Sequence, residues 1–176
     1  MIQIIGDNSL SDSSGLSYGA YRSKVKAGSG NDTLFIQSVS LDPQGGYGAF
    51  ESEIFGGGGN DLIIVDAITG DRGEVNGVNS FDIRDSLVHA GSGNDIVSVG
   101  IGSATVNGGS GTDTAILEYL DTNTMTVSAL SNGVRVTGTE NLAGGAFGWA
   151  QNLVNIEEFQ VNNTIYSASA LVSEFG

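Results

Sequence analysis

Four glycine–aspartate phrases decide how this chain is read. They are AGSGNDTLF at Ala27–Phe35, GGGGNDLII at Gly56–Ile64, AGSGNDIVS at Ala90–Ser98 and GGSGTDTAI at Gly108–Ile116. Each fits the nonapeptide G-G-x-G-x-D-x-U-x, where U is a large apolar residue. The likeness extends further back: nine residues before each motif aspartate stand Ser23, Ser52, Ser86 and Ala104, and seven before it stand Val25, Ile54, Val88 and Val106. Two residues after it come Leu34, Ile63, Val97 and Ala115, and four after it Ile36, Val65, Val99 and Leu117. Apolar residues recurring with period two on both flanks of a glycine-rich turn predict strand, turn, strand, with the apolar side chains on one face.

The spacing sets the coil. Asp95 and Asp113 are 18 residues apart, twice nine, so a coil of two nine-residue halves brings their turns into register. The intervening half, Val99–Asn107, keeps Gly100, Gly102 and Val106 but has Ala104 in the aspartate position, and reads as the opposite side of the coil with its ligand lost. The other gaps, 29 residues from Asp32 to Asp61 and 34 from Asp61 to Asp95, exceed 18 by 11 and 16. The surplus falls in Gln37–Ser52, which holds Pro43, and in Asp66–Ser80, both expected as loops on the far side.

Calcium is the ligand this chemistry suits. It takes six to eight oxygens at about 2.3–2.6 Å and tolerates irregular geometry. A glycine-rich turn offers one carboxylate and several carbonyls, because glycine reaches backbone angles closed to other residues. One turn supplies too few oxygens, whereas two stacked turns can share an ion. Without metal, Asp32, Asp61, Asp95 and Asp113 form a column of like charges that opposes folding. Bound cations reverse that interaction. Four turns leave gaps for about three ions.

Composition agrees. The chain of 176 residues has 20 Asp+Glu against 6 Lys+Arg, a net charge of −14 that repels nucleic acid and attracts cations. Its 28 glycines and single proline fit a turn-dense β structure, and 39% hydrophobic residues argue against a disordered acidic tail. With no cysteine, rigidity outside the cell would need another source, such as a metal. No apolar stretch is long enough to span a bilayer, and MIQIIGDNSL lacks the character of a cleaved signal peptide.

The motifs resemble those of the RTX (repeats-in-toxin, haemolysin-type calcium-binding) family, over about 40 motif residues with a looser pattern from Ser23 to Leu117. The resemblance implies an all-β fold: a parallel β-roll or β-helix over residues 1–120, followed by a small β cap over 121–176. It implies Ca²⁺ ions between stacked turns, bound by the aspartate and by turn carbonyls. Matched by position, the implied metal-binding residues are Gly28, Gly30 and Asp32; Gly57, Gly59 and Asp61; Gly91, Gly93 and Asp95; Gly109, Gly111 and Asp113. Carbonyls of Ala27, Ser29, Gly56, Gly58, Ala90, Ser92, Gly108 and Ser110 are implied to join them. The phrase NIEEFQV with a turn and TIYS resembles the cap after the roll in secreted members of the family. Their extreme C-terminus directs type I secretion, and SEFG at Ser173–Gly176 is compatible.

The remaining segments read plainly. Ile4–Asp12 is expected as a cap strand and loop, in preference to a degenerate turn. Thr124–Leu130 and Val134–Thr137 form a hairpin about Asn132-Gly133, and a second hairpin turns at Asn162-Asn163, with Phe159 and Val161 facing Ile165 and Tyr166. Ser167–Val172 is a short closing helix. No catalytic set is legible: His89 is expected as an outward strand residue, and Glu157-Glu158 as solvated strand charges. Arg22, Lys24 and Lys26 offset the acidic edge, Asp71-Arg72-Gly73-Glu74 is a polar loop, and Trp149 and Tyr47 are candidates for a carbohydrate or protein surface.

The expected function is therefore that of an extracellular, non-catalytic calcium-binding protein that folds after export. It would be a surface-layer, matrix, adhesin or filament subunit, with self-association, a cell-surface or matrix protein or a glycan as partner. The alternative is the secretion and calcium-folding module of a larger enzyme or toxin, which the Met1 start disfavours. An ice-binding surface is a weaker third, since the third motif position, Ser29, Gly58, Ser92 and Ser110, is not a uniform Thr or Asn row.

Overall fold

The computed structural model describes residues 1–7, 17–40, 45–69, 81–117, 122–142 and 145–176. The fold is all-β with one short helix. Its repeating piece is the expected strand, turn, strand. β3 (Lys24–Ser29) turns into β4 (Thr33–Ser40), β6 (Glu53–Gly58) into β7 (Leu62–Thr69), β8 (Phe81–Ser92) into β9 (Ile96–Val99) and β10 (Gly102–Ser110) into β11 (Thr114–Leu117). First strands pair in parallel with first strands, β3–β6–β8–β10. Second strands pair with second strands, β4–β7–β9–β11. Two sheets result, and every turn crosses from one to the other.

The register puts the four apolar rows on the inside. Val25 faces Ile54, Ile54 faces Val88 and Val88 faces Val106, while Leu34, Ile63, Val97 and Ala115 align in the other sheet. All eight belong to one buried cluster with Ile36, Val65, Val99 and Leu117. Each larger side chain so buried contributes about 1.5–3 kcal/mol.

The surplus residues of the two long repeats do not all go into loops. Gln37–Ser40 extends β4, Asp66–Thr69 extends β7, and Gly46–Phe50 forms β5. β5 lies between β2 (Ser17–Tyr21) and the first half of β8. The two extensions pair with each other from Gln37 opposite Asp66 to Ser40 opposite Thr69. Extra residues present in adjacent rungs can satisfy each other's backbone groups in a ladder, which a loop over the same surface would leave to water. The rest of the expected loops, residues 41–44 with Pro43 and residues 70–80 with the Asp71–Glu74 segment, lie outside the described residues.

A kink recurs where these added strands join the motif strands. Arg22, Glu51 and Asp85 occupy this place in successive rungs with φ of 47°, 48° and 50°. The aligned serines brace it. The Oγ of Ser23, Ser52 and Ser86 donates to the carbonyl two residues back, and the Oγ of Ser52 and Ser86 accepts the N–H of Ser23 and Ser52. Ala104 has no hydroxyl, and the β8–β10 register slips by one residue between Ser103 and Ala104.

β1 (Ile2–Asp7) pairs in parallel with β4, as a cap strand should, and residues 8–16 lie outside the described residues. Beyond β11, β12 (Thr126–Leu130) and β13 (Gly133–Leu142) make the first hairpin. Leu130 faces Gly133, so Ser131-Asn132 is the loop, one residue earlier than expected. β14 (Gly145–Val154) pairs antiparallel with β13 but parallel with β10, and β15 (Glu158–Val161) runs parallel with β11. The strand–turn–strand pattern therefore continues for a further rung without its glycine phrase. β16 (Thr164–Ser167) closes the second hairpin, with Phe159 facing Tyr166 and Val161 facing Thr164. Asn162 and Asn163 sit at φ 46° and 67°, the left-handed pair a tight two-residue turn demands. Helix α1 (Ala168–Phe175) follows, capped by the Ser167 hydroxyl on the Ala170 N–H and anchored by buried Leu171. Trp149 is not a surface residue: it is buried, with its ring over Gly138, where a side chain would collide with it.

Candidate functional site: the aspartate column

The four glycine phrases come together. Gly28, Gly57, Gly91 and Gly109 are aligned across the rungs, as are Ser29, Gly58, Ser92 and Ser110. The turns bond to one another: the N–H of Gly30, Gly59 and Gly93 donates to the carbonyl of Gly58, Ser92 and Ser110, at 2.6, 2.8 and 2.9 Å. The second motif position shows why glycine recurs. Gly57, Gly91 and Gly109 have φ of +119°, +124° and +106°, and a Cβ on any of them would overlap the carbonyl of the glycine one rung earlier.

The aspartates form a ladder. The Oδ1 of Asp61, Asp95 and Asp113 accepts the backbone N–H of Asp32, Asp61 and Asp95 respectively, at 2.8, 2.7 and 2.9 Å. Glu157 continues it, its Oε2 accepting the Asp113 N–H at 2.9 Å. Sequence reasoning placed Glu157 as a solvated strand charge. It is exposed, as expected, but it stands in the turn before β15 rather than in the strand, and its longer side chain reaches the place a motif aspartate would occupy. No glycine phrase marks it, and the only signal was its position before an apolar strand.

A parallel file of amides went unnoticed. The Oδ1 of Asn31, Asn60 and Asn94 accepts the N–H of Asn60, Asn94 and Thr112. The fifth motif position is therefore a structural amide, and its recurrence in three of the four phrases was the signal.

The second carboxylate oxygens carry the functional question. Asp61, Asp95 and Asp113 are buried, and the Oδ2 of each has no hydrogen-bond partner among the described residues. Burial pushes the carboxyls of Asp95 and Asp113 above the usual carboxylate range, against the pull of the N–H each accepts; neighbouring acids add to the rise. Oδ2 of Asp61 points toward Gly56, where a Cβ would stand 2.5 Å from it. Asp32, on the first rung, is only half-buried. Among the described residues no three His, Cys, Asp or Glu side chains converge. A cation in this column would therefore draw most of its oxygens from the turn carbonyls, which fits a hard ion that accepts backbone ligands.

Asp82 was missed altogether. It is buried near the start of β8, at the opposite end of that strand from the glycine turn. Its Oδ1 accepts the Ala67 N–H at 2.8 Å and its Oδ2 the Ile101 N–H at 2.7 Å, so it bridges the ends of two rungs. Burial first, then the neighbouring Asp66 charge, pushes its carboxyl up to about 8. The unfolded carboxyl ionises near 3.8, so the folded state holds the extra proton across that window. The stabilisation is present in full below the lower value and is lost as pH climbs through the upper one. The urea midpoint should fall between about pH 5 and pH 8, with a shallower slope in Asp82→Asn. The same slope in both proteins would discard this account.

His89 is half-buried on the outer side of β8 and stacks on Phe55 with ring centroids 5.0 Å apart, a packing role. Arg22 and Lys24 pair with Glu51 and Glu53 across the rungs.

No family model matches the chain, and no curated protein does. No helix among the described residues is long and apolar enough to cross a membrane.

Proposed function

We propose that the chain is an extracellular calcium-binding β-roll protein of the RTX type, with the column of turns as its ion site and a structural or interaction role rather than a catalytic one. One observation carries this reading: three buried carboxylate oxygens, one per rung on Asp61, Asp95 and Asp113, have no donor among the described residues. An ionised carboxylate is costly to bury unless paired, and divalent cations wedged between rungs would pair all three. The turns around them are built on glycines at positive φ, and their backbone carbonyls would supply the further oxygens calcium accepts.

Binding would couple to folding. Separated turns offer too few oxygens, so affinity would appear only as the rungs stack. In a calcium-poor cell interior the chain would stay loose, and in calcium-rich surroundings it would close. Gaps for about three ions follow from four turns, each with a Kd of roughly 10⁻⁴–10⁻³ M, as extracellular modules bind.

Calorimetric titration with calcium, paired with thermal melts in calcium and in chelator, tests the reading. Saturable uptake of about three ions is expected, and at 100-fold excess over Kd each should add about 2.7 kcal/mol. A melting temperature indifferent to chelator, with no heat of binding, would refute it.

A further inference from the structure

The outer face of the β2–β5–β8–β10–β14 sheet carries a feature unconnected with the aspartate column. Tyr18 faces Tyr47 and Tyr47 faces Phe81 across neighbouring strands. Their rings stack at 5.6 and 5.9 Å, and Phe81 meets Phe147 of β14 edge-on at 6.2 Å. Tyr21 and Phe50 form a second file alongside, 5.7 Å apart. Phe147 remains 37% exposed.

The surface beyond the rings is concave. A hollow of about 450 Å³ is lined by Tyr47, Phe81, Arg84, Asp85, Ser103 and Phe147. A second, of about 370 Å³, shares Asp85 and Ser103 and reaches Arg135 and Asn152. The two meet where β8 bulges at Asp85 and β10 does not.

The charge of this groove departs from that of the chain. The whole protein has 20 acidic and 6 basic residues. The two hollows are lined by two of those arginines and one acid, Asp85. Arg84 is aimed rather than loose: Nη1 donates to the Tyr47 hydroxyl at 3.0 Å, and its guanidinium lies 5.8 Å from the centres of both the Tyr47 and Phe50 rings. Its Nε pairs with Oδ2 of Asp85 at 3.5 Å, and with the side chain still 48% exposed Nη2 is left for a ligand. Nη1 of Arg135 is held in the same way by Oδ1 of Asn152, at 3.0 Å.

We infer that this groove binds an acidic oligosaccharide, with the exposed Phe147 and partly exposed Phe81 taking the C–H faces of the sugars, above a buried Tyr47, and the two arginines taking their carboxylates. Small-ligand sites are mostly aromatic and apolar with a few oriented polar groups, at volumes of this size. A planar carboxylate matches the guanidinium fork, and a pre-oriented arginine loses little freedom on binding it. A neutral sugar would use the rings and leave both arginines idle. A long polyanion such as nucleic acid would run beyond the groove onto the acidic remainder of the surface, whereas a short acidic oligosaccharide would stay beside the two arginines.

Trigalacturonate is the probe, with cellotriose as the neutral control, titrated calorimetrically into the folded protein at one fixed calcium concentration. Trigalacturonate should saturate with a Kd below about 1 mM, and cellotriose should bind at least about tenfold more weakly. Arg84→Ala and Phe147→Ala should each lose about tenfold or more with circular dichroism unchanged, and Arg84→Lys should recover only part, since it offers a point charge in place of a fork. No saturation by about 10 mM trigalacturonate, equal affinity for the neutral sugar, or unaltered binding by Arg84→Ala would each overturn the assignment.

Discussion

Replacing Gly91 by alanine should leave little folded protein, whereas the same change at Gly28 should cost only about 1–3 kcal/mol. The two glycines occupy the same motif position and nearly the same backbone conformation, φ +124° and +119°. Any alanine placed there bears a similar conformational strain, set by crowding between Cβ and its own backbone. What differs is the neighbour. A Cβ at Gly28, on the first motif turn, meets no described atom within 4 Å. A Cβ at Gly91 would overlap the carbonyl of Gly57.

A carbonyl in a ladder cannot swing aside as a flexible side chain can. Separating the rungs would break the bonds from Gly59 to Ser92 and from Asp61 to Asp95 together. We expect a loss above about 4 kcal/mol, the range reserved for backbone collisions and broken buried networks. Set against a total stability of about 5–15 kcal/mol, that leaves a marginal or unfolded protein. Urea denaturation of both variants at one calcium concentration reads the difference. Equal losses would mean that the rungs are not packed as described.

The part of the fold written in the sequence is the part that repeats. Four aligned phrases fixed the position of each turn, and rows such as Val25, Ile54, Val88 and Val106 told which side faced inward, because alternation in a strand is rigidly tied to its face. What was not legible came from pairings that no local pattern encodes. The added residues of the long repeats were taken for loops, yet Gln37–Ser40 and Asp66–Thr69 form a ladder because each finds the other one rung away. Glu157 joins the aspartate column from 44 residues away, with no glycine to announce it. Nothing in the sequence singles out Asp82, and only the fold brings the Ala67 and Ile101 N–H groups onto its two oxygens. Trp149 and Tyr47 were grouped as surface aromatics. Both are buried, at 3% and 8% exposed, but in different places: Trp149 belongs to the core cluster, while Tyr47 lies within a ring file whose other members are scattered through the sequence. The Asn-Gly signal placed the first hairpin correctly but missed its loop by one residue, since the same dipeptide can close a turn or flank it.

Asp95→Asn should change sign with calcium: neutral or stabilising in chelator, destabilising by about 2–3 kcal/mol in excess calcium. Asp95 is fully buried in the middle of the column. Its Oδ1 accepts the Asp61 N–H, a bond that asparagine keeps with its own carbonyl oxygen. The substitution therefore acts at Oδ2, which has no hydrogen-bond partner among the described residues. Without metal, that oxygen is half of a buried carboxylate whose proton affinity is raised first by burial and then by the nearby Asp113 and Asp61. An amide there removes the charge and relieves the repulsion, and an unsatisfied N–H₂ is a smaller penalty than a lone ionised group. With calcium present, the same amide presents a donor to a cation and deprives two adjoining gaps of a ligand. The comparison is made by urea midpoints of both proteins in chelator and in excess calcium. If the column is a plain hydrogen-bond ladder, the variant should shift both midpoints by the same amount, and a calcium-independent shift would reduce Asp61, Asp95 and Asp113 to backbone caps.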